Sequence, residues 1–125
     1  MSEVTMRIGE LAEQAGVSVR SLRYYEEHGL LTSERSGGGQ RTYAEDAVER
    51  VRLLQRLYAA GLSSSTIAEL LPCVDSPSAE QTDEAWARLL EERAQLEQHI
   101  ADLLRTRDTL DEIIEVNRSH RRAYP

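Results

Sequence analysis

Apolar residues in the first part of the chain return at helical intervals and are interrupted by glycines, which predicts short helices separated by tight turns. Ile8, Leu11, Ala12 and Ala15 share one face of a first helix. Ala12 sits where a second helix would touch it, a place that admits only a small side chain, and Gly16 supplies the left-handed backbone of the turn. Val17 packs inward, Ser18 is placed to cap the second helix, Leu22 and Tyr25 form its buried face, and Gly29 ends it. Leu30 to Ser33 and Gln40 to Tyr43 then read as two paired strands joined by a flexible loop, Ser36-Gly37-Gly38-Gly39. Residues 1–5 are polar and expected to fray, with Met6 to Ile8 extended before the first helix.

Two further helices follow. Ala44 to Ala60 carries Val48, Val51, Leu54, Leu57 and Tyr58 on one side, with Glu45, Arg52 and Arg56 elsewhere, and stops at Gly61. Ser63 or Ser64 caps a fourth helix bearing Ile67, Leu70 and Leu71, which Pro72 is expected to end; Cys73 to Ser78 then forms a linker. From about Ser78 to Asn117 the pattern predicts one helix of roughly 40 residues, or roughly 60 Å at 1.5 Å per residue. With Trp86 as heptad position a, Leu89, Leu96, Leu103 and Leu110 fall at d, while a reads Trp86, Arg93, Ile100, Arg107 and Ile114. Leu89, Leu96, Ile100, Leu103, Leu110 and Ile114 are the expected dimerisation residues. Arg93 and Arg107 would each meet its own copy in a parallel pair, so an antiparallel coiled coil is expected. Leu90, Leu104 and Ile113 widen the stripe, as if the helix also touched the partner's head; the plainer reading is a lone helix folded back on its own head.

The outward face of the second helix changes the picture. Arg20, Arg23 and Tyr24 project from a short, Ser-capped element, which suits a phosphate-lined groove better than the interior of an ordinary αα-hairpin. The glycine-rich loop is a poor nucleotide cradle, because Gln-Arg-Thr-Tyr follows where a P-loop needs a Lys-Ser/Thr pair opening a helix. As a wing it brings the backbone near DNA while Arg35 and Arg41 reach phosphates or the minor groove, and Tyr43 braces the hairpin or touches the DNA backbone.

Arg23-Tyr24-Tyr25-Glu26-Glu27-His28-Gly29-Leu30-Leu31, then Arg35, then Gly39-Gln40-Arg41-Thr42-Tyr43, resembles the MerR family of transcription regulators over residues 5–71. Two departures lie in the wing: Ser33 stands where the family usually has a proline, and Gln40 where it often has an aromatic. The resemblance implies a mainly α fold with a winged helix-turn-helix head over 5–72, a linker over 73–77, a dimerisation helix over 78–120 and a tail over 121–125. It implies a homodimer bound to double-stranded promoter DNA through Ser18, Arg20, Arg23, Tyr24, Arg35, Gln40, Arg41 and Tyr43. Such a dimer distorts an overlong promoter spacer so that RNA polymerase engages both elements.

Charge opposes the simplest form of that expectation. Net charge is −7, against the usual basic footprint of a nucleic-acid binder, and all fifteen basic residues are arginine. Residues 1–62 carry 8 Arg against 9 acids, residues 63–125 carry 7 against 13, and residues 18–43 carry 4 against 3. The acid sits mostly in the tail, and DNA affinity must come from placement and dimerisation.

One cysteine excludes an intramolecular disulfide and any cysteine-rich metal framework within the chain. No secretory or membrane segment is read, so a cytoplasmic protein is expected. Cys73, just after Pro72, is the effector candidate; Asp75 and Glu80 stand against a reactive thiol, and a structural cysteine is the expected reading. With Cys73 structural, the signal is either a small molecule bound between the head and the partner's long helix or nothing the isolated protein detects; a sensor of metals, oxidants or electrophiles through Cys73 is the alternative. Metal sensing in the family relies on cysteines at both ends of the dimerisation helix, and the sequence from His120 to Pro125 has none; no metal and no cofactor are expected. His28 is read as a helix-end residue near DNA, His99 as a solvent-face residue and His120 as part of a fraying end. Neither paired carboxylates nor a nucleophile with its base emerges, so an enzyme is not expected; a coiled-coil adaptor would explain the tail but leave the head's arginines idle.

Overall fold

The computed structural model describes residues 5–35, 38–77 and 83–123. It divides into two compact units, residues 1–81 and 82–125. The first runs β1 (Thr5–Met6), α1 (Ile8–Ala15), α2 (Val19–Glu27), β2 (Glu34–Arg35), β3 (Arg41–Ala44), α3 (Ala47–Ala59) and α4 (Ser64–Asp75). The second is a single helix, α5 (Asp83–Ala123). Among the described residues no helix is long and apolar enough to cross a membrane.

The α1–α2 turn forms as its residues dictate. Gly16 sits at φ 73°, its N–H donates to the Glu13 carbonyl, and Val17 N–H donates to the Ala12 carbonyl at 3.0 Å. These two bonds close the α1 carbonyls that the helix itself leaves open. Gly29, at φ 71°, repeats the device at the end of α2, where Leu30 N–H donates to the Tyr25 carbonyl at 2.9 Å. Ser18 caps α2 through its hydroxyl, which accepts from Ser21 N–H at 3.0 Å, and Ser63 caps α4 by accepting from Thr66 N–H at 3.2 Å. Leu11, Ala12, Leu22, Tyr25, Val51, Leu54, Ile67 and Leu71 then meet in one core.

The sheet departs from expectation. It has three strands in the order β1-β3-β2, antiparallel, with Thr5 opposite Ala44, Met6 opposite Tyr43, Glu34 opposite Thr42 and Arg35 opposite Arg41. Leu30 to Ser33 is not a strand: successive strand residues face opposite sides, whereas Leu30 and Leu31 are both buried, so the chain turns both leucines into the core before pairing begins at Glu34. Thr5, expected to fray, pairs with β3 instead. Ser36 and Gly37 of the expected loop lie outside the described residues, as do residues 1–4.

Three helix limits also differ. Ala44 belongs to β3, so α3 begins at Ala47. Pro72 does not end α4, which continues through Cys73 to Asp75. Proline's fixed φ is a helical value and Pro72 is exposed, so the ring and the missing N–H are accommodated and Ser76 N–H closes the end on the Pro72 carbonyl. At the other end of the chain, α5 passes Asn117 and His120 and reaches Ala123, with His120, Arg121 and Arg122 in the last turn, where cations oppose the negative helix end. The expected start near Ser78 falls outside the described residues.

Candidate nucleic-acid interface

The interface grows from α2 and the wing, here β2, β3 and the turn between them. Arg20 and Arg23 lie on the exposed face of α2, opposite the buried Leu22 and Tyr25, and neither makes an ion pair among the described residues. Ser18 is exposed at the helix start, where it accepts from Ser21 N–H and bonds the Ser21 hydroxyl at 3.0 Å. In the wing, Arg35 Nη1 donates to the Gly39 carbonyl at 3.2 Å and so ties the turn to its own strand; Gln40 is exposed.

Glu26 locks the two elements together. Arg41 Nη1 donates to its Oε2 at 2.6 Å and the Tyr43 hydroxyl donates to its Oε1 at 2.7 Å. One carboxylate on α2 therefore receives two bonds from β3, fixing the wing against the recognition helix. The sequence reading missed Glu26, because its signal lies in a pairing across 15 and 17 residues rather than in any local spacing. Tyr43, expected to brace the hairpin or touch the DNA backbone, does the first. Its ring is fully buried, so it braces the hairpin and cannot contact DNA. Burial, then the bond to Glu26 and its negative charge, push its hydroxyl up to about 12.

Tyr24 is 43% exposed and already engaged: its ring stacks on His28 with centroids 4.0 Å apart, and its hydroxyl bonds Ser64 Oγ at 2.9 Å. Ser64 also bonds the Tyr58 hydroxyl at 2.6 Å, and the Tyr58 ring stacks on Tyr25 at 5.7 Å. This chain of hydroxyls and rings pins α2 to α3 and to the start of α4. His28 caps α2, with Nδ1 bonding the Tyr24 carbonyl at 2.9 Å.

Cys73 is half-buried in the last turns of α4, not in a linker, and nearby Asp75 pairs with Arg50. Among the described residues no group of three or more His, Cys, Asp or Glu is placed to hold a metal ion. On α5, Leu96, Ile100, Leu103, Leu110 and Ile114 are all exposed and Leu89 is half-buried.

A capped helix presenting arginines that are unpaired among the described residues, locked to a short winged sheet, defines a winged helix-turn-helix DNA-binding protein. Residues 6–72 match the family described as MerR HTH family regulatory protein, and residues 48–113 match that described as MerR, DNA binding. The chain is 38% identical over 120 residues to an HTH-type transcriptional activator SoxR homolog of Chromobacterium violaceum, covering 91% of this chain and 77% of that protein. It is 36% identical over 112 residues to the HTH-type transcriptional regulator HmrR of Rhizobium leguminosarum, covering 87% and 84%. Its fold is similar, with TM-score 0.79 and 24% identity, to HiNmlR, a MerR family regulator lacking the sensor domain and solved bound to promoter DNA, over 94% of each chain. The chain belongs to the MerR family and is a DNA-binding transcription regulator of that type.

Proposed function

We propose that the chain acts in the cytoplasm as a homodimer on a pseudo-palindromic promoter site, with α2 of each copy in a major groove and the wing alongside. Residues 5–72 bind DNA and the long helix, expected over 78–120, carries dimerisation through Leu89, Leu96, Ile100, Leu103, Leu110 and Ile114. Ser18, Arg20, Arg23, Tyr24, Arg35 and Gln40 form the DNA face. Arg41 stands at its edge, holding Glu26 with one nitrogen while its remaining donors reach a phosphate. The observation that carries this reading is the pair of exposed arginines on α2, unpaired among the described residues, beside a wing locked to the same helix through Glu26.

The locked wing also supports action by deformation. A dimer brings two copies of this locked head to one promoter, and the sequence of an overlong promoter spacer sets the cost of distorting the DNA between them. RNA polymerase then engages both promoter elements when the spacer is distorted. Cys73 takes a structural part in this reading, and the signal is left to a small molecule.

The test is a salt titration of binding to the promoter duplex. Arg23→Ala should weaken binding to unrelated duplexes alike and flatten the slope of log affinity against log salt by about one unit per subunit contact. An unchanged slope rejects the phosphate role of Arg23.

A further inference from the structure

Three hydroxyls meet at the edge of the DNA face, and only one of them can send its proton outward at low cost. Ser64 Oγ lies 2.9 Å from the Tyr24 hydroxyl and 2.6 Å from the Tyr58 hydroxyl. Ser63 supplies the α4 cap by accepting from Thr66 N–H, so capping leaves the Ser64 side chain free for the two tyrosines. Each hydroxyl carries one proton, the two bonds use two of the three, and among the described residues none of the three groups has another partner. The third proton is costly wherever no acceptor reaches it. Tyr58 and Ser64 are half-buried, whereas Tyr24 is exposed. The rings around them are held as well: Tyr24 stacks on His28 and meets Tyr25 edge-on with centroids 6.3 Å apart, and Tyr25 stacks on Tyr58.

We propose that Ser64 and Tyr58 are positioning residues that aim the Tyr24 hydroxyl, as a donor, at a phosphate oxygen of the bound duplex. This rests on the reading above that puts Tyr24 on the DNA face. Tyr58 donates to Ser64, Ser64 donates to Tyr24, and Tyr24 donates outside the chain. The reverse order strands a proton on half-buried Tyr58, and an order in which both tyrosines donate to Ser64 strands it on half-buried Ser64. A phosphate oxygen is the strongest acceptor a duplex offers, and its negative charge favours the order that ends on it. Each bond also polarises the next, so a Tyr24 oxygen that accepts from Ser64 becomes the better donor. The hydroxyl carries no charge, so the contact fixes where Tyr24 meets the backbone without releasing a further counterion.

A plain brace between α2 and α4 would use the same two bonds, and a Ser64 that touched DNA itself would also lower affinity when removed. A mutant cycle separates these accounts. The full chain is titrated with a duplex selected from a random pool by the parent, and head stability is followed by thermal melting. Tyr24→Phe keeps the ring and should weaken binding about tenfold. Ser64→Ala and Tyr58→Phe should each weaken it about threefold in the parent and not at all in a chain that already carries Tyr24→Phe, because both act only through that hydroxyl. Ser64→Thr keeps a hydroxyl and should bind as the parent does. The slope of log affinity against log salt should be the same in every variant, since no charge is removed. Losses that persist beside Tyr24→Phe, or that track a lowered melting midpoint, make Ser64 and Tyr58 direct contacts or braces and overturn the inference. A Tyr24→Phe chain that binds as tightly as the parent overturns it too. In each of these cases the DNA-face reading stands while Arg23→Ala flattens the salt slope, and an unchanged slope in Arg23→Ala counts against that reading separately.

Discussion

The head and the long helix bury apolar surface by opposite routes. In the head, Leu11, Leu22, Val51, Leu54 and Ile67 are essentially removed from solvent by α1 to α4 of the same chain. Along α5, Leu103 is 54% exposed, Leu110 52% and Ile114 51%. A core closes when several elements turn their apolar faces toward one point, and a lone helix has no second element to do so. The head is thus complete within one chain, whereas α5 leaves a stripe that only another surface can cover.

The largest expected effect breaks that contrast at the helix. Leu103→Arg places a charge in the centre of the proposed seam, where burying it unpaired costs about 3–5 kcal/mol. Sedimentation should show the dimer lost and operator affinity with it, while the melting transition of the head is preserved; an intact dimer would mean the heptad register is wrong. The matching cut in the head is Leu54→Ala, expected to remove about 2–5 kcal/mol from head stability in chemical denaturation and to leave α5 association in place. Loss of association in this variant would show that the two units do not stand separately.

A smaller effect sharpens the account of the head by testing the lock between wing and recognition helix. Tyr43→Phe removes the bond to Glu26 but keeps the ring, at a cost of about 1–2 kcal/mol. The hydroxyl titrates near 10 in an unfolded chain and near 12 in the fold, so the folded state holds the proton more tightly. Its stabilising contribution is complete below pH 10 and is lost as pH rises from 10 to 12. Denaturation midpoints of the parent should fall across that window, and those of Tyr43→Phe should fall less. Smallest of all is Cys73→Ser: promoter response in cells challenged with metals, oxidants and aldehydes should match the parent. Loss of one response with DNA affinity unchanged in vitro would make Cys73 the sensor.

Local chemistry was legible residue by residue. Ser18 and Ser63 cap helices because a hydroxyl two or three residues before a free N–H reaches it wherever the helix sits, and Gly16 and Gly29 turn the chain because the left-handed backbone they adopt is local to them. The heptad of α5 is of the same kind, a spacing that needs no tertiary information. By itself, then, the sequence determined the order of helices, the buried faces of α1 to α4, the outward arginines of α2 and the apolar stripe of α5.

Tertiary structure decided what depends on residues far apart in the chain. Glu26 became the anchor of the wing because β3 returns Arg41 and Tyr43 to it, and Tyr24 was drawn toward α4 because Ser64, 40 residues on, meets its hydroxyl. β1 paired with β3, and Leu30 and Leu31 left the wing for the core, because burial of both leucines outweighs the short strand they would otherwise extend. Pro72 stayed inside α4 because Leu70 and Leu71 hold that turn against the head, and packing outweighs one missing hydrogen bond. In each case two groups had to be brought together by the whole fold before either could act on the other, and no pattern of spacing along the chain records that meeting.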